Sequence, residues 1–142
     1  MDVVAAAIGV VRMVAGGLTA TYFITVPLLA LASVALWWRV RHRELPLWPP
    51  LVVLGVGVVG CLLLAVVAVV FQLPPSHLSV PNEGIGVTLA IATIAFALAA
   101  LAAAILFAKG QRLSSGGMAA PMVWAMAHFY LVAAMSTWGH LL

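Results

Sequence analysis

The amino-acid sequence predicts an all-α integral membrane protein, with four transmembrane helices in an up-down-up-down bundle. Three observations predict it. Hydrophobic residues make up 66% of the 142-residue chain and charged residues 6%, against about 25% charged in an ordinary soluble domain. Pro49 to Leu73 is an apolar run without a charge, longer than the roughly 20 residues that carry a helix across a bilayer core. A helix that is hydrophobic all round has no place on the surface of a small soluble domain. Finally, short connections rich in basic or turn-forming residues separate this run from three other apolar stretches.

The first stretch, Val3 to Trp38, is interrupted only by Arg12. As one helix it would be about 54 Å long, far more than the roughly 30 Å hydrocarbon core requires. The sequence therefore predicts a break near Gly16-Gly17 and a first span from Leu18 to Trp38 (18–38). Residues 1–15 then lie at the interface or extend the helix, with Arg12 reaching the headgroups. Pro27 falls within that span and frees the carbonyl of Phe23, which predicts a kink.

Trp37-Trp38 followed by Arg39, Arg41, His42 and Arg43 reads as an aromatic belt meeting a basic loop, and Trp48 resumes the belt. The second span is Leu51 to Leu73 (51–73). Its Gly55, Gly57, Gly60 and Cys61 leave a thin surface for a neighbouring helix. Pro74 to Glu83 carries no Lys or Arg and is rich in turn formers. The third span is Gly84 to Ala108 (84–108), where Thr88, Ala92, Ala95, Ala99 and Ala103 form a seam of small side chains expected to pack closely. A third loop follows, with Lys109, Arg112, Ser114, Ser115, Gly116 and Gly117. The last span is Met118 to Gly139 (118–139).

Sidedness follows from the loops. The first and third hold five of the six basic residues, Arg39, Arg41, Arg43, Lys109 and Arg112, and the middle loop holds none. The positive-inside rule puts those two loops in the cytoplasm and both termini outside. The compartment this suggests is a bacterial inner membrane. A pI near 9.8 does not imply nucleic acid, because the few basic residues form no stripe. The halves also share a faint pattern of span, basic loop and Pro-initiated span (Pro50, Pro121), too short to separate from the general grammar of helical hairpins.

His128 is the strongest chemical signal, an ionisable group at the centre of the last span. Three roles are open: an interhelical hydrogen bond, contact with haem, quinone or pigment, and proton transfer. Trp124 and Tyr130 are its candidate neighbours. Met118, Met122 and Met126 share a helix face, a spacing that suits soft Cu(I) or adaptable packing. On the outer side, His77, His140 and Glu83, with Asp2, are a candidate metal set drawn from separate segments. Cys61 is the lone cysteine, so no intrachain disulfide or thiolate zinc site is available.

No span contains a carboxylate, and no phosphate loop, HExxH or G-x-S-x-G elbow is present. Catalysis by the chain alone is therefore not expected. The function expected is that of a small accessory subunit packed among membrane lipids and other membrane subunits, best placed in a respiratory or photosynthetic electron-transfer assembly. The alternatives are an oligomeric transporter or channel, with Pro27 as hinge and His128 as its polar point, or a haem- or quinone-contacting anchor. Metal handling is a further, weaker one. No resident cofactor is the leading expectation.

Overall fold

The computed structural model describes residues 3–42, 46–72 and 83–137. They form five helices: α1 (Val3–Ala20), α2 (Tyr22–Arg41), α3 (Trp48–Gln72), α4 (Glu83–Phe107) and α5 (Arg112–Thr137), with no strand among the described residues. All five are long and apolar enough to cross a membrane. The described residues are all-helical, as expected, but form one helix more than the four expected.

The centre is a triangle of α3, α4 and α5, and α5 also touches α1 and α2. Glycines let these helices approach. A Cβ on Gly57 would lie 2.6 Å from Met122, and one on Gly60 would lie 2.7 Å from Met126 Sδ and 3.0 Å from Ala97. A Cβ on Gly86 would meet Phe71 and Thr137 within 2.9 Å. Gln72 Nε2 donates to Ser136 Oγ at 3.3 Å. Together these contacts set α3 and α5 parallel, with α4 antiparallel to both. Gly55, expected in the same thin region, has nothing within 4 Å and is no contact point.

Helices α1 and α2 both oppose α5. Gly17 meets His128, and Gly9 faces Gln72, the partner of Ser136. Farther along, Trp124 donates to Thr25, Gly117 meets Ala35 and Arg39 donates to Ser114. The two helices thus follow one another in a single direction past α5, and the chain does not double back between them.

The break lies at Thr21 (φ −102, ψ 33), beyond the predicted Gly16-Gly17. Thr25 Oγ1 takes over a carbonyl that the helical ladder drops there, reaching back seven residues to that of Leu18 (3.0 Å). Thr21 Oγ1 donates to that of Gly17 (2.8 Å), which also keeps its bond from Thr21 N–H (3.1 Å). Gly17 serves close packing instead of a turn, and Gly16 has nothing near it. The segment expected at the interface or as a helix extension is helical from Val3 onward, within α1. Val10 and Val14 join Val67, Ala68, Ala90, Val132 and Ala133 in one core cluster, so α1 is part of the bundle. A second cluster, Val53, Leu64, Ala97, Leu101, Ala119 and Met126, fills the other end without help from α1 or α2.

Two further expectations change. The face that α4 buries is Gly86, Ala90, Ala97 and Leu101, whereas Thr88, Ala92, Ala95 and Ala99 are exposed and Ala103 is half-buried. At 100° per residue the predicted seam lies on the opposite side of the helix. The third loop is also shorter than predicted. Gly110 turns with a positive φ of 74, and α5 already begins at Arg112, taking in the Ser-Ser-Gly-Gly run. Ser114 stays helical because its hydroxyl is used locally, donating to the carbonyl of Gln111 (3.1 Å) while accepting from Arg39.

Candidate functional site

His128 occupies the middle of the bundle. Its neighbour Met126 stands against Gly60, the midpoint of α3 (Trp48–Gln72), and the ring is 9% exposed. It projects from α5 toward the break between α1 and α2. There, Nδ1 lies 2.9 Å from the carbonyl of Trp124. A carbonyl only accepts, so Nδ1–H is the donor in this pair. The other nitrogen, Nε2, faces Thr21 Oγ1 at 3.4 Å. Trp124 crosses the imidazole edge to face, 4.7 Å between centroids and 75° between planes, and its Nε1–H donates to Thr25 Oγ1 at 3.1 Å.

The site is therefore a clasp. Trp124 of α5 holds Thr25, whose hydroxyl caps the loosened carbonyl of Leu18, and His128 packs beside Thr21 at the same break. This arrangement leaves His128 little to offer an external ligand. Its N–H is given to a backbone carbonyl, and Nε2 faces Thr21 beside Gly17, where even a methyl carbon would lie 3.4 Å from Nε2. A porphyrin iron or a quinone carbonyl needs one of these nitrogens and open space beyond it. His128 instead donates within α5 to Trp124 and packs its ring across to α1 at Gly17.

Tyr130, expected beside His128, is not brought to it; it is half-buried against the two core clusters. The methionine stripe is likewise spent on packing, with Met122 over Gly57 and Met126 over Gly60, the latter fully buried. Of the proposed outer metal set, Asp2, His77 and His140 lie outside the described residues, and Glu83 only begins α4. Among the described residues no group of three His, Cys, Asp or Glu side chains converges.

A feature not singled out in the sequence stands at the other end. Arg39, read there as one member of a cytoplasmic basic loop, is 2% exposed. Its Nε donates to Ser114 Oγ at 3.0 Å and its Nη1 to the carbonyl of Pro46, which brings the α2–α3 and α4–α5 connections together. Arg41, Lys109 and Arg112 are exposed around it, with Arg41 lying 5.2 Å over the Trp37 ring. Arg43 lies outside the described residues. Trp37, Trp38 and Trp48 are exposed at the same end, so it carries both cations and an aromatic belt. A helical period would have flagged Arg39: it lies four residues after Ala35, on the face that meets α5.

No protein-family model, no curated protein and no solved structure matches the chain.

Proposed function

We propose that the chain is a small, non-catalytic membrane subunit whose work is to pack against other membrane proteins. One observation carries this reading: Thr88, Ala92, Ala95 and Ala99 face outward on α4, continued by Ala103, although the bundle itself does not use them. Lipid tails gain nothing from a strip of small side chains, whereas a partner helix gains close van der Waals contact. Thr88 does not compete for the partner, since its hydroxyl donates to the carbonyl of Gly84 at 2.7 Å. In the membrane the chain makes four traverses, α1 and α2 forming one interrupted traverse. The basic end faces the cytoplasm and the opposite end faces outward.

The test is purification in mild detergent at native expression. Stoichiometric membrane partners retained by the parent and lost by Ala95→Leu with Ala99→Leu support the reading; a chain that purifies alone in both forms contradicts it. Haem absorbance in the co-purified proteins assigns the assembly to electron transfer, and its absence removes that narrower assignment.

A second reading, an oligomeric transporter, is favoured by the interruption at Thr21 beside an ionisable side chain at mid-bundle. Broken helices at that depth recur where transporters bind their substrates. Solute flux into vesicles containing the purified chain alone distinguishes it from a packing subunit.

A further inference from the structure

We propose that the groove between α2 and α5 holds an anionic phospholipid, its phosphate at the first turn of α5 and an acyl chain along the groove. Three independent features meet there. The groove encloses about 610 Å³, with Leu31, Val34 and Trp38 on one wall and Leu113, Gly116 and Gly117 on the other. That falls within the roughly 300–1,000 Å³ typical of small-molecule sites. Its lining is apolar except at one end, where Gln111, Arg112 and Ser114 close it. An amphiphile with a single polar end matches that distribution.

The polar end is the N-terminus of a 26-residue helix. Ser115 N–H is already bonded to the carbonyl of Gln111. The N–H groups of Arg112, Leu113 and Ser114, all groove-lining residues, precede the first intrahelical bond, and helix N-termini present such donors to phosphate. Behind the mouth, Arg39 is held against Ser114, and its Nη2 is buried without a hydrogen-bond partner among the described residues. The same is true of Gln111 Oε1 and Ser115 Oγ. The Arg39 guanidinium places positive charge one side chain from the groove. Arg112 and Lys109 add exposed cations at the rim. A phosphodiester complements these cations and accepts from the helix terminus, while its acyl chain covers the apolar walls. Trp37 and Trp38 flank the groove at headgroup level.

Lipid retention in native mass spectrometry tests this, with the full chain reconstituted in phosphatidylcholine containing phosphatidylglycerol and then extracted in mild detergent. The parent is expected to keep one phosphatidylglycerol in preference to phosphatidylcholine. Arg112→Gln, an exposed change, should reduce that preference about fivefold, the factor equivalent to roughly 1 kcal/mol per cation. Gly116→Leu places a side chain in the groove where a Cβ meets nothing within 4 Å, and should reduce retention of both lipids while the bundle stays folded. Glu44, the acid of the α2–α3 connection, lies outside the described residues, and Glu44→Gln separates lipid from a side-chain counter-ion. Phosphatidylglycerol retention that is unchanged or raised by Glu44→Gln supports the lipid. Equal retention of the two lipids by the parent overturns the proposal, as does a preference that survives both Arg112→Gln and Gly116→Leu.

Discussion

His128 lies so close to Gly17 that a methyl group on the glycine would stand 2.7 Å from the imidazole Cδ2. The contact is between the ring and a backbone, so neither side yields by a simple rotation. Gly17→Ala must therefore push α1 away from α5 or turn His128 out of the clasp. The expected loss is about 1–3 kcal/mol, the usual range for overpacking. Gly16→Ala, one residue earlier and with nothing within 4 Å, is the control and should be neutral or slightly stabilising. Unfolding of the purified protein in mixed detergent measures both.

The hydroxyl of Thr25 is the keystone of the break, accepting from Trp124 and donating back across Thr21. Thr25→Val keeps the shape and removes both bonds. The expected destabilisation is about 0.6–1.7 kcal/mol, the span measured for hydrogen bonds between membrane helices. Trp124 emission should shift as its N–H loses its partner. Unchanged emission and stability would mean that the bond does not form.

Packing of α3 on α5 predicts a graded series. Gly57→Ala and Gly60→Ala meet Met122 and Met126 inside contact distance, whereas Gly55→Ala meets nothing. The first two should be destabilising and the third tolerated. Because the atoms of Met126 nearest Gly60 lie toward the flexible end of its side chain, Gly60→Ala should be milder than Gly57→Ala, which strikes Met122 at Cβ. Denaturation midpoints of the three variants give the order directly.

The existence and approximate extent of α3 and α4 were legible in the sequence because long uncharged runs have one inexpensive fate, a helix in lipid. Which side of α4 packs inward was not. Ala90 and Ala97 are as small as Ala92, Ala95 and Ala99, so an all-apolar helix offers no polar face to set its rotation. The position of the break was missed for a related reason. Gly16-Gly17 carries the composition of a turn, but Gly17 is small because His128 lies on it. Thr21 is the place where the Thr25 hydroxyl can replace a lost ladder bond. His128 itself stood out by its depth in the span, while its clasp with Trp124, Thr21 and Thr25 required knowing that α1 and α2 both run past α5.

Outward placement of the α4 seam makes a separate prediction. Ala95→Leu with Ala99→Leu should leave the unfolding midpoint of the isolated chain nearly unchanged, because neither side chain enters the core. The same pair should abolish association with whatever covers the seam. A large drop in the isolated chain's stability would instead place that face inside the bundle.

The most direct test of the central claim, that α1 and α2 form one interrupted traverse of a bilayer, is cysteine labelling in intact cells. In a Cys61→Ala background, single cysteines replace Val4, Tyr22 and Lys109, and a membrane-impermeant maleimide is applied before and after permeabilisation. The account predicts that Val4→Cys labels from outside, that Lys109→Cys labels only after permeabilisation, and that Tyr22→Cys, 68% exposed on the bundle but facing acyl chains, labels in neither case. Labelling of Tyr22→Cys from either side would put the break at a membrane surface and contradict it.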